Sequence, residues 1–170
     1  MSLLDNLVAA VTPSHKDGEV NAIDLLKQDH DDVEALFKDY QHLADADSDS
    51  GDKRALSTNI CGMLAVHAII EEEIFYPAAR RANVDADMLN EAEVEHGSAK
   101  ELIAQIGASQ ISDPLYDARV KVLGEYIRHH VKEEEGELFP ACRKSDMNMV
   151  EVGVRLQERK NELLRKLNGK

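Results

Sequence analysis

The sequence predicts an all-α fold, an up-down-up-down four-helix bundle with an additional C-terminal helix and a short N-terminal arm. Helix formers dominate the 170 residues, whereas Gly, Pro and aromatic residues are few and Trp is absent. No stretch sustains the period-two alternation of a strand. Four segments instead carry apolar residues at alternating three- and four-residue steps, the stripe of a core-facing helix.

The arm is 1–20, where Leu3 to Val11 is apolar and Thr12-Pro13-Ser14-His15-Lys16-Asp17-Gly18 reads as a turn. The bundle spans 21–146. Its first helix is expected from Asn21 or Ala22 to about Ala44, broken by the run Asp45-Ala46-Asp47-Ser48-Asp49-Ser50-Gly51-Asp52. That run has the composition of a calcium loop without the spacing or closing Glu of an EF-hand, so it reads as a solvated turn. Further helices are expected at about Lys53 to Arg81, Asp85 to Gly107 and Ser112 to Arg143, the last opened by Asp113-Pro114 as cap and first-turn proline. Short links make neighbours antiparallel. In the C-terminal segment, 147–170, Val150, Val154, Leu163, Leu164 and Leu167 suggest a fifth amphipathic helix packed outside the bundle or a dimer contact, which leaves monomer or homodimer open.

The formal net charge of −13 opposes binding to nucleic acid and to anionic membrane surfaces. No basic start is followed by a long apolar run, so neither signal peptide nor membrane anchor is expected, and the location expected is cytoplasmic. Cys61 and Cys142 are not spaced as a metal-ligand pair and read as reduced thiols.

An internal repeat organises the bundle. His67, Glu71, Glu72, Pro77, Ala78 and Arg80 coincide in spacing with His130, Glu134, Glu135, Pro140, Ala141 and Arg143. The preceding helices match more loosely, through Asp29-His30 with Val33 and Leu36, against Glu95-His96 with Ala99 and Leu102. Each half is thus a helical hairpin that offers one His and then a His-x-x-x-Glu, and the halves are expected to pack about a pseudo-twofold axis.

Each histidine interrupts an apolar seam. The seams are Ile23, Leu26, His30, Val33, Phe37, Tyr40; Ile60, Leu64, His67, Glu71, Ile74, Ala78; Leu89, Ala92, His96, Ala99, Ile103, Ile106; and Leu123, Ile127, His130, Glu134, Leu138, Ala141. A four-residue step leaves two side chains about 40° apart around the axis and about 6 Å apart along it, so His and Glu converge. Unpaired, a core carboxylate costs several kcal/mol, on the order of magnitude, and a bound cation removes that cost. A lone core histidine is more often a hydrogen-bonded packing residue, and a lone His-x-x-x-Glu more often a surface pair. Four core-seam histidines and two core-seam glutamates in a duplicated pattern reverse that balance.

His30, His67, Glu71, His96, His130 and Glu134 are therefore the candidate metal ligands. Four imidazoles and two carboxylates favour iron or manganese in a two-metal site over calcium, which takes oxygen only, or structural zinc. Manganese and zinc fit less well than iron. The ferritin-like Glu-x-x-His motif is met once, by Glu93 and His96; Lys27 and Ile127 stand where His30 and His130 would need a glutamate. Glu72, Glu73, Glu133 and Glu135 read as a solvated face, His15, His42 and His129 as surface residues. Pro77 and Pro140 are expected to kink or end their helices just past the site, with Phe75, Tyr76, Leu138 and Phe139 packed around that end.

This pattern resembles that of hemerythrin-like proteins with the HHE cation-binding domain, over roughly residues 22–145. The resemblance implies two iron ions in a carboxylate- and oxo-bridged centre, with Glu71 and Glu134 as bridges and the histidines as terminal ligands. Oxygen-carrying hemerythrins have a further histidine one turn after the third-helix ligand, where this chain has Lys100. Their acidic ligand falls five residues after the last histidine; here Glu134 is at four and Glu135 at five. The resemblance thus favours a soluble di-iron protein that binds, senses or reacts with oxygen, peroxide or nitric oxide over a plain oxygen carrier. A peroxide-decomposing or nitric-oxide-handling enzyme and a metal-free helical interaction module are the competing readings.

Overall fold

The computed structural model describes residues 20–46, 50–167 and 169. Residues 1–19 of the N-terminal arm, His15 among them, and part of the acidic run lie outside the described residues. Helix α1 (Ala22–Asp45) is followed by α2 (Ser50–Ile70), a π-helical turn (Glu71–Phe75) and α3 (Tyr76–Arg81), which run on as one rod. Then come α4 (Ala86–Ala108), α5 (Tyr116–Glu133), a second π-helical turn (Glu134–Leu138), α6 (Phe139–Lys144) and α7 (Met149–Leu167). All of the described regular structure is helical.

Helix starts follow capping chemistry. The side chain of Asn21 accepts the Ile23 and Asp24 N–H groups at 3.0 and 3.4 Å, and Asp85 accepts the Asp87 N–H at 2.9 Å. Asn83, at φ 58°, makes the left-handed turn between α3 and α4 that Asn tolerates. Asp113 accepts the Leu115 N–H at 2.8 Å and pairs with Arg119, but the regular helix begins only at Tyr116, so Pro114 sits in the preceding turn.

Of the two expected effects of Pro77 and Pro140, a helix end does not occur. Neither rod ends at its proline. Each opens into a π turn just before it, where the Tyr76 N–H reaches the Glu71 carbonyl and the Phe139 N–H the Glu134 carbonyl. Pro has no N–H to give and its ring crowds the carbonyl four residues back; a wider turn takes up both defects. In both copies the π turn starts at the seam glutamate.

Hairpins α1/α2 and α4/α5 pack together, with α1 against α5 and α2 against α4. Two apolar clusters fill the interior. One gathers Ile23, Leu26, Phe75, Tyr76, Leu89, Leu138 and Phe139; the other Val33, Phe37, Tyr40, Ile60, Ile106 and Leu123. On every bundle helix the two clusters lie on opposite sides of the seam histidine. The polar layer is therefore a single slice through an otherwise apolar core.

Helix α7 lies against α1, α2 and the first π turn. The face it buries matches the expected one only in part: Leu163 and Leu164 are half-buried, Leu163 against the core, but Val150, Val154 and Leu167 are exposed, and Val152, Gly153, Leu156 and Lys160 are buried instead. Gly153 explains the registration. A Cβ there would stand 2.0 Å from the Val20 carbonyl oxygen, so the chain crosses α7 only where no side chain intervenes.

Candidate metal centre

All six seam residues are buried, with Glu71 at 0% and Glu134 at 2% exposure. Nε2 of His30 and of His67 are 3.2 Å apart, as are Nε2 of His96 and of His130. Each carboxylate reaches one histidine of each pair. Oε2 of Glu71 is 3.2 Å from His67 and 3.3 Å from His96; Oε2 of Glu134 is 3.4 Å from His30 and 3.5 Å from His130. Ligand atoms of His30, His67, Glu71 and Glu134 all lie within 4.8 Å of one another, and so do those of Glu71, His96 and His130. Helical spacing supplies this convergence, because the π turn begins at each glutamate and leaves the His-x-x-x-Glu step itself α-helical.

The outer nitrogens are held just as systematically. Nδ1 of His30 is 2.8 Å from Glu135, that of His67 3.3 Å from Asp29, that of His96 2.9 Å from Glu72 and that of His130 2.7 Å from Glu95. A carboxylate at Nδ1 fixes the tautomer, keeps the proton outside and aims the Nε2 lone pair inward. Glu72 and Glu135 are thus histidine-orienting groups, which corrects their reading as a solvated face: the rods turn them toward the facing hairpin. Glu73 is exposed and pairs with Arg159 at 2.8 Å, and Glu133 faces the exposed His129 at 3.2 Å. His42 is exposed as expected.

Burial raises the Glu71 carboxyl, but the charges and hydrogen bonds of His67 and His96 outweigh it and hold it well below the usual carboxylate range. Burial lowers His67, yet Glu71 and Asp29 lift it well above the ordinary imidazole value. Burial, then the charges of Glu71 and Glu134, keep the Tyr76 phenol neutral far beyond its usual range. Its hydroxyl donates to Oε1 of Glu134 at 2.8 Å and lies 3.3 Å from Nε2 of His96. In the other half of the repeat Phe139 takes this place and stacks on His30, with ring centroids 5.8 Å apart. Lys100 is half exposed and grips Glu72, the partner of His96, at 2.6 Å.

The donor set suits cation binding. Oε1 of Glu71 and Oε2 of Glu134 are buried without a hydrogen-bond partner, and each of these carboxylates lies beside two inward histidine nitrogens. Such orphaned carboxylate atoms fit cation binding better than packing.

Asp29, Glu72, Glu95, Glu135, Tyr76 and Lys160 escaped the sequence reading. The four acids did carry a signal, since Asp29/Glu95 and Glu72/Glu135 occupy matched places beside the repeat's histidines and glutamates. Lys160 had none, because α7 stands outside the repeat.

A family model for the hemerythrin HHE cation binding domain matches residues 21–142. The chain belongs to the hemerythrin HHE family. A crystal structure of a hemerythrin HHE cation binding domain-containing protein from Mycobacterium kansasii superposes with a TM-score of 0.71 at 20% identity, covering 86% of this chain and 89% of that one. It supports the hemerythrin-like helical fold. A protein named DNA nickase from Nostoc sp. is 31% identical over 140 residues, which cover 81% of this chain and 38% of that protein. This HHE chain therefore spans about two fifths of that relative's length. An HHE domain and the buried His/Glu clusters suit metal binding, and none of the described helices is long and apolar enough to cross a membrane.

Proposed function

We propose that this HHE protein binds two iron ions and uses them to bind, sense or react with oxygen, peroxide or nitric oxide. The observation that carries the reading is the inward convergence of four Nε2 atoms on two shared carboxylates, with every Nδ1 held by an acid. In this reading His30, His67, His96 and His130 would hold the ions together with Glu71 and Glu134. Mixed nitrogen and oxygen donors without thiolate favour iron over zinc or calcium. Iron in such a site supplies redox chemistry toward small oxygen- or nitrogen-oxide ligands.

The chain's own residues define what reaches the centre. A cavity of about 30 Å³ borders His30, His67 and His130 and is walled by Val33, Leu64, Val66 and Ile127. That volume suits a diatomic molecule or peroxide. Tyr76 supplies a neutral hydroxyl donor beside the carboxylates.

Metal analysis of the purified chain, with anaerobic reduction followed by titration of oxygen, peroxide and nitric oxide, tests the reading. About two irons per chain and a spectral change with one of these ligands are expected; His67→Ala with Glu71→Ala should abolish both. Unchanged metal content and stability in that variant would favour a metal-free helical module. Steady-state turnover of peroxide or nitric oxide would make the protein an enzyme at the same site.

Nicking belongs to the Nostoc relative by name, and we do not extend it to this chain. The net charge of −13 repels phosphate backbones. The iron-loaded chain should leave supercoiled plasmid intact. Free thiols at Cys61 and Cys142, which burial pushes up to about 11 and about 12, accord with a cytoplasmic setting.

A further inference from the structure

The two halves of the repeat differ sharply where they meet solvent. In the second half Glu91, Glu95, Glu133 and Glu137 line a cavity of about 210 Å³ whose inner wall is His130 and Glu134. The equivalent positions in the first half are Leu25, Asp29, Ile70 and Ile74, all buried, and α7 covers Asp29 with Lys160. One side of the polar layer is covered by three apolar side chains and the Asp29–Lys160 ion pair. The other opens through carboxylates.

At the edge of that opening Glu95 and Glu133, which line it, meet the exposed His129, which borders the neighbouring cavity. Nε2 of His129 is 3.5 Å from Oε1 of Glu95 and 3.2 Å from Oε1 of Glu133, and their ligand atoms all lie within 4.8 Å of one another. The first-half counterpart of His129 is the buried Val66, so the repeat does not account for an imidazole here. Glu95 links this outer group to the inner one, because its Oε2 is 2.7 Å from Nδ1 of His130. At the inner end Glu134 is 2% exposed and its Oε2 has no hydrogen-bond partner. Among the described residues no Lys or Arg pairs with Glu91, Glu95, Glu133 or Glu137. Glu34, Glu72, Glu73, Glu93, Glu135 and Glu162, in contrast, each pair with one.

The geometry points to a transit site for a divalent cation at Glu95, His129 and Glu133, through which metal passes along the acidic cavity to the inner centre. Uncompensated carboxylates at a mouth concentrate cations and raise their rate of arrival. One imidazole and two carboxylates capture an ion that has shed part of its water. Glu91 and Glu137 add charge along the path. The proposal rests on the six-residue centre proposed above.

The test uses the full chain stripped of metal and given ferrous iron anaerobically, with the reaction stopped by chelator at timed intervals and retained iron measured. His129→Gln with Glu133→Gln should load about tenfold more slowly than the parent and reach the same final content. Asp39→Asn with Glu101→Gln, two exposed acids elsewhere, controls for surface charge. Slowing confined to the first variant supports the transit site. Equal rates, or equal slowing in both variants, with full loading throughout would overturn the transit site and leave the inner centre standing. A parent chain that never retains iron would overturn both, and the two failures are told apart by the parent alone.

Discussion

Lys160 of α7 forms a buried ion pair with Asp29 of α1, and Asp29 in turn holds Nδ1 of His67. Both partners are under 10% exposed. The last helix thereby reaches into the polar layer and braces one of its histidines. Burial raises the Asp29 carboxyl, but His67 and Lys160 together bring it below its usual value. Lys160→Met would strand Asp29 without its cation, and breaking a buried pair costs about 3 kcal/mol or more. Urea unfolding of the metal-free protein should show that loss, and adding Asp29→Asn should recover part of it. Independent, additive effects would mean that the pair is not the coupling.

At the far end of the bundle Asp117 accepts from Tyr40 at 2.6 Å and from Lys53 at 2.8 Å. Burial raises its carboxyl, yet Lys53 and Tyr40 bring it below the ordinary value. A depressed folded-state value stabilises the fold above the unfolded pKa of about 4 and is lost as pH falls through the folded value. Asp117 is half exposed, so solvent screening keeps the effect below about 1 kcal/mol. Asp117→Asn should flatten the dependence of stability on pH below about 4 by that much. An unchanged slope would show that the contact contributes nothing in solution.

The bundle was legible because its information is local and repeated. Buried seams at Ile23–Leu26–His30–Val33 and Ile60–Leu64–His67–Glu71 follow from side-chain periodicity, which needs no knowledge of neighbours. The six candidate ligands stood out because polar residues on apolar seams are costly without a partner. What sequence could not supply was the facing geometry. Glu72 and Glu135 look like helix-surface acids until the opposing hairpin brings His96 and His30 onto them. Lys160 shares no repeat and no seam with the layer it enters, and Val150 and Val154 turn outward because the close crossing at Gly153 sets the registration of α7.

The outer acids carry a prediction of their own. Glu72 and Glu135 each bind a histidine of the opposite hairpin, and each is anchored by a lysine, Lys100 and Lys27 respectively. Replacing such a carboxylate by an amide weakens the histidine as a donor by roughly tenfold to a hundredfold in metal affinity. Glu72→Gln and Glu135→Gln should both release iron to a competing chelator more readily, with Lys100→Met showing a smaller shift in the same direction. Retention equal to the parent's would mean that the two histidines are not metal donors.

Tyr76 is where the repeat is broken inside the layer, since Phe139 fills the same place in the other half. Its hydroxyl donates to Oε1 of Glu134 at 2.8 Å, in a setting where Oε2 of that residue already has no hydrogen bond. A phenyl ring is accommodated at the equivalent position, so Tyr76→Phe changes polarity more than packing. Removing the donor leaves a buried carboxylate oxygen unsatisfied, which costs about 1–3 kcal/mol. A bound cation would share the negative charge of Glu134 and relieve much of that cost. The destabilisation of Tyr76→Phe should therefore be largest in the metal-free protein and shrink on loading with iron, as followed by parallel thermal unfolding of the two forms. Equal destabilisation in both would show that the hydroxyl supports the packing around Glu134 and takes no part in balancing the charge of the centre.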